Sequence, residues 1–181
     1  MTELLVLCTG NAARSVMAGF MLEFLHARRL GDPDVASTDL HIVTAGTHTI
    51  DGQPMGMRTR AALLSRPEMA DVTFSKHRSR QVYEADIERA ELVVGMEADH
   101  VRFVRRTFPG AASRTATIRH LCDVLPPPPP ELRERVRALD LAEAQLSDDD
   151  DVIDPAGRDG SFYEACVDEL WDLCNRLIVL L

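Results

Sequence analysis

A short apolar run that breaks into a polar loop and then into helical periodicity constrains this chain more than any other feature. Leu4 to Leu7 reads as a buried strand, and Val6-Leu7-Cys8-Thr9-Gly10-Asn11-Ala12-Ala13-Arg14-Ser15 leads the chain out of it. Beyond the loop, Val16, Phe20 and Phe24, with Met17, Met21 and Leu25 beside them, recur at the spacing of one helix face. Further strand candidates are Leu40–Thr44, Leu92–Met96 and Thr115–Leu121, and further helices are expected over Met55–Leu64, Ala98–Arg106 and Ser161–Leu180, the first helix covering Ser15–Arg29. Alternation of this kind predicts an α/β fold: a single domain with a central four-stranded parallel sheet and helices on both faces. In such sheets ligands bind beyond the carboxyl ends of the strands, which is where the loop after strand 1 lies.

The composition of that loop specifies its ligand. Successive backbone N–H groups at a helix N-terminus converge into an anion-binding nest. Gly10 allows close backbone approach, and Asn11 tolerates the left-handed conformation a tight cradle needs. Arg14 can grip two oxygens of a bound dianion, while the nest, the helix dipole and Arg14 together favour the thiolate form of Cys8. Ser15 can donate a hydrogen bond to the sulfur and make it a better leaving group. Residues Thr9, Gly10, Asn11, Ala12, Ala13, Arg14 and Ser15 are thus the expected phosphate-binding loop, with Cys8 poised to attack phosphorus. Such a site needs neither metal nor cofactor.

Composition narrows the classes. The chain has 181 residues, enough for one domain with a real core, and a formal charge of −9, which argues against a nucleic-acid partner. No apolar run approaches membrane-spanning length, and no basic segment leads into a signal core, so a cytoplasmic protein is expected. Four cysteines without metal-ligand spacing suit a reducing compartment. One segment is elaborated: Pro126 to Pro130 is followed by an amphipathic stretch, Glu131–Gln145, and by Asp148 to Asp151. Residues 123–152 are read as an extended connection, with the aspartates a solvated turn, rather than as a docking element.

The loop resembles the phosphate loop of the low-molecular-weight protein tyrosine phosphatases, whose motif reads C-x-G-N-x-C-R-S. Four further segments are similar in the same order: Thr44-Ala45-Gly46-Thr47 with Gly52-Gln53-Pro54, His77-Arg78-Ser79-Arg80-Gln81, Ala90 to Met96, and Asp154-Pro155. The resemblance implies a phosphocysteine intermediate on Cys8, with Asp154 as general acid and Asp159 as the runner-up for that role. It implies that Thr44 and His77 join Asn11 and Ser15 in a network supporting the loop. It also implies a phosphorylated protein as partner, tyrosine kinases among the candidates. The remaining histidines, His26, His41, His48, His100 and His120, are given no role.

Three departures from the family pattern bear on selectivity. Ala13 stands where a second loop cysteine is common, which removes a resolving thiol. Ala156 stands where an aromatic residue usually stacks on the substrate ring, with Phe162 or Tyr163 as partial substitutes. Ile50 is the expected pocket wall in place of a tryptophan. Two rival readings are an arsenate reductase on the same fold and a phosphate-binding module without turnover. A reductase needs a close pair of further thiols; Cys166 and Cys174 lie eight apart on one helix, a rise of about 12 Å, whereas a disulfide needs Cα atoms within about 7 Å.

Overall fold

In a computed structural model, residues 2–31, 40–74 and 76–181 are described. Strand β1 (Thr2–Cys8) is followed by helix α1 (Arg14–Leu30), β2 (Leu40–Gly46), α2 (Met57–Leu64), α3 (Glu84–Arg89) and β3 (Leu92–Gly95). Then come α4 (Ala98–Thr107), β4 (Thr115–Thr117), α5 (Ile118–Val124), α6 (Leu132–Arg137) and α7 (Gly160–Ile178). The four strands form one parallel sheet in the order β2-β1-β3-β4.

Strand alternation divides the core into two layers. Leu4, Val6 and Cys8 face a layer filled by Met17, Met21, Leu22 and Leu25 of α1 and Leu170, Leu173 and Leu177 of α7. Leu5 and Leu7 face the opposite layer, with Val93, Val104 and Ile87. The strand order reverses direction between β1 and β3, so the crevice beyond Cys8 is the switch point where such sheets open a ligand site.

Gly46 is required at the end of β2. A Cβ there would lie 2.7 Å from the Thr9 carbonyl oxygen and 2.9 Å from Thr49 Cγ2, so only glycine lets the second strand close on the loop.

Two segments differ from expectation. The strand expected over Thr115–Leu121 ends at Thr117, because the Thr117 hydroxyl accepts the His120 amide at 3.2 Å and caps α5. Within Glu131–Gln145 only Leu132–Arg137 is helical. The proline run is fastened by Arg135, 3% exposed, which donates to the carbonyls of Pro130 and Pro126 at 2.7 Å each and to that of Leu180 at 2.5 Å. That clasp ties the connection to the chain's C-terminal end.

Candidate active site

The loop between β1 and α1 is held by its carbonyls. Cys8 O accepts the Thr47 amide and Thr9 O the His48 amide, both at 2.9 Å. Gly10 O accepts the Thr49 hydroxyl at 2.7 Å, Asn11 O the His77 Nε2–H at 3.0 Å, and Ala12 O the Thr59 hydroxyl at 2.9 Å. Ala13 O takes the Met17 amide at 2.8 Å. Every carbonyl from Cys8 to Ala13 is therefore anchored in the scaffold. Among the described residues, none of the amides of residues 9–13 donates to a protein acceptor, and α1 begins without a side-chain cap. Backbone donors without a protein partner at a helix start are what an oxyanion requires.

Asn11 is the keystone. It is fully buried with φ of 47°, the left-handed region that asparagine enters more readily than most residues. Its Oδ1 accepts the Arg80 amide at 3.0 Å, and its Nδ2 donates to Ser15 Oγ at 3.1 Å and Thr44 Oγ1 at 3.0 Å. Because Ser15 Oγ accepts from Asn11, its own proton is free for Cys8 Sγ, 2.9 Å away. His77 must carry its proton on Nε2, since Asn11 O can only accept. Burial, opposed by that bond, lowers the His77 pKa from its ordinary value. Asn11, Ser15, Thr44 and His77 are thus brought together as expected.

Arg14 is 3% exposed and lies between two carboxylates, with Nη1 2.5 Å from Glu97 Oε2 and Nη2 3.1 Å from Asp154 Oδ2. Burial acts to lower its pKa, but the bond and charge of Glu97, then Asp154 and Cys8, outweigh it and raise the pKa above the ordinary value. Asp154 is about half exposed, and its other oxygen accepts the Ala156 amide at 3.1 Å. Asp159, the alternative acid, instead caps α7 through the Ser161 amide at 3.0 Å and hydroxyl at 2.6 Å.

Three tethers hold the Asp154 loop against the sheet. The Val152 amide donates to Met96 O at 2.8 Å, the Ala98 amide to Asp151 Oδ1 at 2.7 Å, and the Ile153 amide to Glu169 Oε2 at 3.2 Å. Asp151 is therefore more than part of a solvated aspartate turn: it fixes the N-terminus of α4.

Glu97 carries no expectation from the sequence and His100 is given no role there; the structure corrects this. His100 is 2% exposed, and burial, followed by the charge of Arg14, lowers its pKa to about 3. The neutral ring accepts the Glu97 amide on Nδ1 at 3.1 Å, so Nε2 bears the proton and donates to Thr9 Oγ1 at 3.1 Å. The available signal was Glu97-x-x-His100, immediately beyond the strand next to β1 at the switch point.

Beside the cradle opens a cleft of about 740 Å³, with Gly10 and Ala12 on one side and Thr47 to Ile50 on another. Ile50 lines it and is 74% exposed. Cys122, Cys166 and Cys174 are free and stand on α5 and α7. Burial pushes the Cys122 thiol up to about 11, that of Cys166 up to about 12, and that of Cys174 higher still.

A protein-arginine-phosphatase of Geobacillus stearothermophilus is 26% identical over 175 residues, which cover 97% of this chain and 93% of that one. Among solved structures, the YwlE arginine phosphatase from the same organism superposes with a TM-score of 0.70 at 24% identity, over 98% of this chain and 91% of that one. A low molecular weight protein tyrosine phosphatase from T. tengcongensis does so with a TM-score of 0.73 at 24% identity, over 98% of both chains. The family model for low molecular weight phosphotyrosine protein phosphatase matches residues 3–128, and the chain belongs to that family.

Proposed function

We propose that this chain is a cysteine-dependent protein phosphatase that works through a phosphocysteine. One observation carries the reading: Cys8 Sγ receives the Ser15 hydroxyl at 2.9 Å, at the base of a loop whose carbonyls are all anchored in the scaffold. Cys8 attacks phosphorus in line while the loop amides and Arg14 take the three non-bridging oxygens. Asp154 gives its proton to the departing oxygen, then removes one from the water that attacks the phosphocysteine. The S–P bond breaks, and the Ser15 proton stabilises the returning thiolate. Thr44 and His77 hold Asn11, which orients Ser15. A half-exposed acid over a buried arginine supports turnover rather than simple phosphate binding. Thiols held protonated by burial on α5 and α7 weigh against an arsenate-reducing relay.

Phosphotyrosine-type substrates are the first reading, and the partner is a phosphorylated protein, tyrosine kinases included. Phosphoarginine is the second, favoured by the arginine phosphatase that aligns over nearly the whole chain. The small side chain of Ala12 on the cleft wall leaves room for either group, and either leaving atom needs the Asp154 proton. A cytoplasmic setting accords with the free cysteines. Among the described residues no helix is long and apolar enough to cross a membrane.

The test is a steady-state comparison of matched phosphotyrosine, phosphoarginine, phosphoserine and phosphothreonine peptides with chelator present. A Cys8→Ser protein, expected to be inactive, completes it. One solved YwlE mutant is described as carrying a phosphorylated active-site serine. Transfer of the phosphoryl group to the introduced hydroxyl of Cys8→Ser, without release, is therefore an accompanying expectation. Full turnover by Cys8→Ser would end the covalent reading.

A further inference from the structure

The chain's charge is unevenly distributed around the site. Residues 52–82 hold six arginines and lysines against two acids, a net of +4 in a chain of formal charge −9. This segment supplies α2 and the stretch around His77, both of which grip the cradle: Thr59 holds Ala12 O, and His77 and Arg80 hold Asn11. Arg58, exposed on α2, is one residue from the hydroxyl that bonds the phosphate loop. Arg158, also exposed, meets it from the loop that carries Asp154.

Two arginines of this segment are neutralised by acids outside it, Arg66 by Asp168 at 2.6 Å and Arg80 by Asp86 at 2.6 Å, as Arg119 is by Glu169 at 2.5 Å. Arg58 instead gives Nη1 to the Arg158 carbonyl at 2.9 Å, and the Arg158 guanidinium lies 4.4 Å over the Phe162 ring. These contacts order the two guanidinium groups without cancelling their charge. Asp159 interacts with Arg58 through its charge alone, its carboxylate being turned onto the Ser161 amide and hydroxyl rather than onto the guanidinium. Asp51 likewise closes on the Gln81 amide and the Tyr83 hydroxyl.

We propose that Arg58 and Arg158 form a docking rim for acidic residues flanking the phosphorylated side chain, so that the preferred partner is an acidic phosphopeptide segment. The inference rests on the phosphatase reading only for the identity of the central residue. A net-negative protein repels acidic segments in general; a local cationic rim gives them one productive approach and rejects basic ones. Its effect is screened by salt, because the groups are exposed.

Binding to a Cys8→Ala protein, which has no nucleophile at position 8 to take the phosphoryl group, reads the rim without chemistry, and p-nitrophenyl phosphate hydrolysis by the native protein reads the chemistry separately. The probes are two phosphotyrosine peptides identical but for three glutamates or three lysines beside the phosphorylated residue. At low ionic strength the acidic peptide should bind at least about tenfold tighter, and added salt at about 0.5 M should reduce that ratio to about two. Added to Cys8→Ala, Arg58→Glu with Arg158→Glu should reverse the preference, while Arg58→Lys with Arg158→Lys should keep it. Equal affinity for the two peptides, failure of both to bind, or a preference untouched by the glutamate pair overturns the proposal. Absence of p-nitrophenyl phosphate turnover alone would count against the phosphatase reading instead.

Discussion

Asp154 Oδ2 sits 3.1 Å from Arg14 Nη2, on the guanidinium that the proposed mechanism assigns to the phosphate. The carboxylate thus competes with the ligand before it serves it. Asp154→Asn removes both effects. Hydrolysis of phosphotyrosine, whose phenol needs a proton to leave, should fall by about two to four powers of ten. An aryl phosphate with a more acidic phenol should lose far less. Inhibition by inorganic phosphate should tighten several-fold, because Arg14 no longer has an anionic occupant to displace. Equal losses on both substrates with unchanged phosphate inhibition would remove Asp154 from the role.

Glu97 holds the other side of the same guanidinium, and its consequences should differ. The contact is shorter, at 2.5 Å, and Glu97 is 21% exposed against 48% for Asp154. Glu97→Gln should therefore destabilise the fold by about 1–2 kcal/mol, seen as a lower urea midpoint, whereas Asp154→Asn should leave the midpoint nearly unchanged. Turnover should fall roughly tenfold or more as the guanidinium loses its alignment. Arg14→Lys keeps the charge but cannot make both contacts; kcat should drop further than phosphate affinity.

How much of this was legible follows from how local each relationship is. The cradle was readable because Cys8, Asn11, Arg14 and Ser15 lie within one turn of chain, and strand and helix periodicity frame them. Asp154 and His77 needed the family resemblance, since an Asp-Pro pair or a single histidine has many structural uses. Glu97 and His100 were missed because their meaning is relational. Only sheet order puts the end of β3 beside β1, and only packing buries the ring that bonds Thr9. The strand expected through Leu121 failed for a local reason: one threonine hydroxyl at position 117 converts a β-rich sequence into a helix start.

Ser15 should separate the two halves of the reaction. Its hydroxyl, oriented by Asn11 at 3.1 Å, reaches Cys8 Sγ at 2.9 Å. Ser15→Ala removes the donor that stabilises the departing thiolate, so phosphocysteine breakdown should slow more than its formation. Rapid quench should show a burst of phenol approaching one equivalent, with steady-state kcat lowered by about one to two powers of ten. A uniform loss with no burst would mean that Ser15 acts only on the architecture of the loop.

His100 makes stability depend on pH in a definite direction. Burial and the Arg14 charge depress its folded pKa from 6.5 to about 3. Between those values the unfolded chain binds a proton that the folded one does not, so its stabilisation is complete above about pH 6.5 and is lost as pH falls toward 3. One such group contributes a slope of at most about 1.4 kcal/mol per pH unit. His77, also lowered by burial, acts in the same direction. His100→Asn should cost about 1–2 kcal/mol near pH 7.5, where the Glu97 amide and Thr9 lose a partner. Below about pH 6 the variant should lose stability less steeply than the native protein, so the two curves converge. Urea unfolding from about pH 7.5 to about 4.5 reads both. Parallel curves would show that His100 takes up its proton in the folded state as readily as in the unfolded one, against the burial of the ring between Thr9 and Glu97.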